Sequence, residues 1–354
     1  MNSLHRRSPW PSRRWATARD GRHAAEPAAA AKSSNRRRQT LTTPGIALLF
    51  LAGFAQLSHL EGQEVNYVIR FNGNGVSDID RIKIRIDDPN NTNDEPGPPV
   101  DVGASDFTIE FWLKAQQTDN AARSIACGGG VFSWIAGNIV LDRDRYSSGG
   151  RDFGISLANG GRVAFGVENA TGQAYTLCGA INVLDDAWHH IAVQRRLNDG
   201  WLWIFVDGQL DVQADGPGGD ISYPGNVFPD GNCGGPCTNS DPFIVLGAEK
   251  HDVNRVTYPP YTGLLDELRF STTLRYASGF VRPTAAFVPD GITVGLYHFD
   301  EGFGAIVLDS AVIAGAPTNG EVKYGGSPPG PSWVINTPFT QSAPSRPRNV
   351  RVVR

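Results

Sequence analysis

From residue 65 to about residue 325 the chain is a succession of short runs rich in Val, Ile, Phe and Trp, separated by clusters of Gly, Asn, Asp and Pro, with almost no helical period. That punctuation is the strongest constraint on the fold. A strand reads as 4–8 apolar or alternating residues between turn signals, whereas a helix needs a longer stretch with a 3.6-residue period. The runs read as strands are 66–71, 107–114, 138–141, 153–157, 162–167, 175–178, 189–195, 201–206, 243–247, 263–270 and 294–299. About a dozen strands exceed what one twisted open sheet comfortably holds, so an all-β fold of two packed antiparallel sheets is expected.

The turn residues say how neighbouring strands connect. Asn198-Asp199-Gly200 separates two apolar runs and supplies the positive-φ residue of a hairpin, and Asp207-Gly208 makes a second tight turn. In "WLWIFVDG" Leu202, Ile204 and Val206 share one face and Trp201, Trp203 and Phe205 the other. Both faces are apolar, so this strand is expected to be central and covered on both sides. The stretch "DDAWHHIAVQRR" holds adjacent histidines, His189 and His190. On a strand they point to opposite faces and cannot share one metal or one proton relay, so the segment reads as an arm of the core hairpin.

Charge and cysteines bear on where the chain works. The first 40 residues hold ten of the 32 Lys and Arg and two of the 36 Asp and Glu, leaving 22 basic and 34 acidic residues beyond them, a net of −12. An acidic body argues against nucleic acid as a partner. Residues 1–55 read as an Arg-rich leader and signal peptide. The apolar run Gly45–Phe54 is too short to span a bilayer, and Gly53-Phe54-Ala55 offers small residues for cleavage. Export to the cell surface or medium is the expectation. Four cysteines in an exported chain suggest two disulfides, with three pairings open. "CGGPC" turns the chain back on itself, which favours Cys233–Cys237 and leaves Cys127–Cys178. Residues 87–103 and 214–242 read as long loops, and 326–354 as a Pro/Ser-rich linker whose end, "SAPSRPRNVRVVR", is similar to the start of a fibronectin type III module. The expected domain is therefore 65–325, within a longer modular protein.

Five stretches in order, "FTIEFWLKA" (107–115), "DDAWHHIAVQRR" (185–196), "LWIFVDGQL" (202–210), "YTGLLDELRFS" (261–271) and "LYHFDEGFG" (296–304), resemble the laminin-G-like, concanavalin A-like jelly rolls, and "YVIRFNGNG" (67–75) resembles their first strand. The resemblance implies a two-sheet antiparallel jelly-roll sandwich. It also implies binding of glycans or extracellular proteins, often around calcium, with glucanases among the relatives of the fold.

The resemblance extends to candidate sites. "LGAEKHD" (246–252) is similar to the pentraxin branch and makes Glu249 and Asp252 candidate calcium ligands, with Asp142 and Asp144 of "LDRDRY" as the facing acidic loop. Asp266 is expected to take a structural hydrogen-bonding role near Asn72. Tyr258, Tyr261 and His251 are candidate ligand contacts, since aromatic rings with polar tips suit a sugar or a protein. No catalytic residue is assigned: the alternating acid motif of the glucanases and G-x-S-x-G are both absent from the sequence. The expected function is an exported, non-catalytic binding or adhesion module, calcium-dependent by resemblance. The alternatives are a divergent carbohydrate-active hydrolase and a structural spacer.

Overall fold

The computed structural model describes residues 66–73, 80–87, 97–145, 150–224, 242–251, 254–313 and 315–339. The leader, the pair Cys233–Cys237, Asp252 and the chain from 340 onward lie outside them. Contacts divide the chain into Met1–Leu60 and Glu61–Arg354, and every described strand belongs to the second unit.

In chain order the strands are β1 (Tyr67–Asn72), β2 (Arg81–Arg85), β3 (Phe107–Gln116), β4 (Gly128–Gly129), β5 (Asn138–Arg143), β6 (Asp152–Ala158), β7 (Arg162–Glu168), β8 (Ala174–Asn182), β9 (Asp185–Arg195), β10 (Trp201–Val206), β11 (Gln209–Asp215), β12 (Phe243–Leu246), β13 (Thr262–Ser271), β14 (Thr293–Tyr297), β15 (Ile306–Val307), β16 (Gly320–Lys323) and β17 (Ser332–Ile335). One sheet has the order β11-β10-β9-β3-β13-β1-β17, with β14 pairing the second half of β13. The other runs β15-β16-β2-β12-β5-β6-β7-β8-β4. All strand pairings are antiparallel, giving the expected jelly-roll sandwich.

The period of two builds the core. Ile109, Phe111 and Leu113 of β3, Ile191 and Val193 of β9, and Leu202, Ile204 and Val206 of β10 meet Phe153, Ile155 and Leu157 of β6 and Val163, Phe165 and Val167 of β7. Burying each such side chain contributes about 1.5–3 kcal/mol. The opposite face of the first sheet is also covered, because the segment after β13 crosses it. Tyr276 and Phe280 pack on Phe205, and Phe287 packs with Trp112 and His190. The expectation of a doubly covered β10 therefore holds for Phe205. It fails for Trp201 and Trp203, which stay half-buried and stack on each other at 5.9 Å.

The sandwich also extends beyond the expected boundary. Ser332–Ile335, assigned to the linker, forms β17 and pairs with β1, while Phe339 packs edge-on against Trp112. A four-residue strand among prolines carries too little local signal to stand out, and its partner lies more than 260 residues earlier in the chain.

Candidate functional site

An open cavity and a buried cluster of ionisable groups are built from the turns and strand ends. The cavity is about 730 Å³ and is lined by Asn72, Gly73, Asp119, Ala121, Asn138, Asn254, Arg255, Val256, Pro259, Pro260 and Thr262. These residues come from the end of β1, the turn after β3, the start of β5 and the segment leading into β13. Two asparagine amides fasten its walls. Asn138 donates to Pro260 O at 2.8 Å and accepts from Ala122 N at 2.8 Å. Asn120 accepts from Thr262 N at 3.0 Å and donates to Thr262 O at 2.7 Å. At the rim, Gly73 has φ +57°, and a Cβ there would sit 2.2 Å from Thr262 Oγ1, so the turn out of β1 requires glycine. The cavity is thus a preformed hollow presenting amides, a carboxylate, a guanidinium and a hydroxyl beside two proline rings, a set suited to a polyhydroxylated ligand.

The cluster is made where the chain after β12 turns at Gly247 (φ +89°) and doubles back over β5. Asp142 holds the two segments together: its Oδ1 accepts from Asp144 N at 2.9 Å and its Oδ2 from Lys250 N at 2.9 Å. His251 Nδ1 lies 3.1 Å from Asp144 Oδ1 and 3.3 Å from Glu249 Oε1. The three donor atoms of Asp144, Glu249 and His251 are within 4.8 Å of one another. Glu249 Oε2 accepts from His251 N at 2.8 Å, which fixes the turn, and Lys250 Nζ donates to Phe243 O at 3.1 Å. Burial, with the charges of Asp144 and Glu249, pushes the Asp142 carboxyl well above the usual carboxylate range. Burial also acts to raise Asp144, but the charge and hydrogen bond of His251, with Lys250, outweigh it and hold that carboxyl below its usual value.

The structure brings Asp144, Glu249 and His251 together and assigns the other expected residues differently. Asp142 is spent on two backbone amides, which makes it a positioning residue; Asp252 is outside the described residues. Tyr261 is fully buried and its hydroxyl donates to Leu264 O at 2.8 Å, so it cannot stack on a ligand. His251, 3% exposed, is a cluster member rather than a surface contact. Tyr258 packs with the group around Trp134. The expected approach of Asp266 to Asn72 does not occur, since Asp266 pairs with Trp112 and Asn72 with Thr262. Asp266 is completely buried; burial and the charges of Glu267 and Asp300 push its carboxyl well above the usual range. Cys127 and Cys178 form the expected disulfide, joining the segment before Trp134 to β8. Sequence reading missed the cavity altogether, because its lining comes from four separated segments with no motif in common.

Residues 88–278 match the family model of the concanavalin A-like lectin/glucanases superfamily. No sequence among the curated proteins matches this chain. Among solved structures, a protein from Bacteroides ovatus provisionally described as carbohydrate-binding is similar at 13% identity and a TM-score of 0.45, over 78% of this chain and 62% of its own. A heptameric SAP-like pentraxin from Limulus polyphemus is similar at 11% identity and a TM-score of 0.37, over 61% of this chain and 80% of its own. Domains LG4-5 of the mouse laminin alpha1 chain are similar at 10% identity and a TM-score of 0.36, over 65% of this chain and 50% of their own. The chain thus spans less than two thirds of the Bacteroides protein's length. Among the described residues no helix is long and apolar enough to cross a membrane.

Proposed function

The chain belongs to the concanavalin A-like lectin/glucanases superfamily, and from that premise we propose that it is a non-catalytic glycan-binding module. The ligand is assigned to the cavity between Asn72, Asp119, Asn254, Arg255 and Thr262. The observation that carries this reading is the chemistry of the lining: polar groups able to bond hydroxyls surround a hollow whose walls are already fastened by Asn120 and Asn138. Glycoside hydrolysis ordinarily uses two carboxyl groups flanking the bond, and Asp119 is the single carboxylate among the described lining residues. The Cys127–Cys178 disulfide supports an oxidising compartment and hence an exported, surface or secreted setting, where the module would serve adhesion within a longer protein.

Calcium is the ion the sequence resemblance implies, and the donors among the described residues fit it poorly. Calcium takes six to eight oxygen ligands. Here Asp144 and Glu249 supply carboxylates, and the third donor is an imidazole nitrogen. No part of the glycan reading depends on a metal.

A glycan array probed with the purified chain tests the proposal. Saturable binding to one class of glycan is expected, with at least tenfold weaker binding by Arg255→Ala and Asp119→Ala at unchanged melting temperature. Binding unaffected by both substitutions would move the ligand elsewhere, and release of reducing sugar ends from the bound glycan would favour the hydrolase.

A further inference from the structure

We infer that Asp144, Glu249 and His251 form a binding site for a divalent cation that accepts nitrogen as well as oxygen donors, Zn²⁺ above all. The inference is independent of the glycan cavity.

Three observations carry it. The first is the donor set, one imidazole nitrogen and two carboxylate oxygens converging within 4.8 Å. Zinc is held by His nitrogen and Asp or Glu oxygen at about 2.0–2.2 Å, so two donors on one tetrahedral zinc stand roughly 3.3 Å apart. The separations from His251 Nδ1 are 3.1 and 3.3 Å. Such spacing would also suit a larger ion, but the nitrogen decides between them: imidazole suits zinc and its neighbours, whereas calcium takes oxygen.

The second is Asp144 itself. It is 8% exposed, and the donor facing its Oδ1 is His251 Nδ1 at 3.1 Å, the same nitrogen that lies 3.3 Å from Glu249 Oε1. One ring nitrogen carries one proton at most and cannot serve both buried carboxylates fully, whereas a cation among the three would.

The third is that hydrogen bonds made by other atoms hold the three donors in place. Asp142 brackets both segments through the amides of Asp144 and Lys250, Glu249 Oε2 is fixed by His251 N, and Lys250 Nζ is turned to Phe243 O. Glu249 Oε1, Asp144 Oδ1 and His251 Nδ1 thereby converge on one point. Three protein ligands suffice for zinc, with water completing the tetrahedron.

The test is titration of the chelator-treated full chain with Zn²⁺ and, separately, with Ca²⁺, read by calorimetry and melting temperature. One zinc per chain is expected, with a rise in melting temperature that millimolar calcium does not reproduce, because an ion bound only by the folded state stabilises it. His251→Gln is expected to weaken zinc binding at least tenfold. His251→Asp makes the donor set all-oxygen and is expected to shift the preference toward calcium, a gain that misfolding could not mimic. Stabilisation by calcium alone in the unaltered chain would overturn the inference. So would zinc binding unchanged in His251→Gln, or no response to either ion, which would leave His251 as an internal ion-pair partner only.

Discussion

His190 Nε2 lies 3.1 Å from Glu110 Oε2 across the β3–β9 pair, with both side chains entirely buried on the outer face of their sheet. The same carboxylate accepts from the Tyr276 hydroxyl at 2.6 Å, from Arg269 Nε at 2.9 Å and from Arg269 Nη2 at 2.7 Å. Glu110 is therefore the knot by which the segment after β13 is tied down over the first sheet. His189, on the other face, is held between Asp185 and Asp207 at 3.0 and 2.7 Å. The adjacent histidines serve two separate structural networks.

Removing Glu110 should be severe. Glu110→Ala leaves the Arg269 guanidinium without its buried counter-charge, and breaking such a pair costs about 3–5 kcal/mol. Burial acts to raise the Glu110 carboxyl, but the His190 hydrogen bond and charge, with Arg269 and Tyr276, outweigh it and leave it below the usual value. A depressed carboxyl contributes stability above the ordinary glutamate range that is lost as pH falls through the folded-state value. Urea unfolding at pH 7 and at pH 3 should therefore show the gap between the parent and Glu110→Gln shrinking in acid.

Asp152 should behave in the opposite sense. It is 5% exposed, and burial, aided by the charge of Asp144 and opposed by Arg143, pushes its carboxyl up to about 7. The folded state then binds the proton more tightly than the unfolded chain, so stability falls as pH rises from about 4 to about 7. Asp152→Asn should change little at pH 3 and stabilise at pH 8, by at most about 4 kcal/mol. Melting curves across that window check the sign.

Trp134 lies flat over glycines of the second sheet. A Cβ on Gly166 would sit 1.7 Å from Trp134 Cδ1, and one on Gly154 would sit 2.0 Å from Cη2. Gly166→Ala should displace the indole and destabilise by about 1–3 kcal/mol, as overpacking does. A red-shifted tryptophan emission together with a lowered melting temperature would report it; an unchanged spectrum would show that the ring is not packed there.

The disulfide holds the segment before Trp134 to β8. It closes a loop with a sequence separation of 51, so replacing both Cys127 and Cys178 with Ser should cost about 2–4 kcal/mol. Guanidinium unfolding of the double variant should show a lower midpoint with little change in slope.

Much of this architecture is legible in the sequence. The alternation in "FTIEFWLKA" and "HHIAVQRR" specifies strands and assigns each side chain to a face, because a strand's period of two is a local property of the backbone. The turns at Gly200 and Gly208 follow from φ of +76° and +78°, which glycine adopts readily. The resemblance singled out Glu249 and Asp252, and the need of calcium for several oxygen ligands added Asp142 and Asp144. What the tertiary structure decided is which distant residues meet. Only the return of the chain at Gly247 brings His251 between the carboxylates of Asp144 and Glu249 and spends Asp142 on backbone amides; a sequence motif counts residues, whereas a binding site is set by distances in space. The Glu110 knot, the strand Ser332–Ile335 and the cavity at Asn72 and Arg255 arise in the same way. Each joins segments far apart in the chain, whose local patterns carry no information about one another.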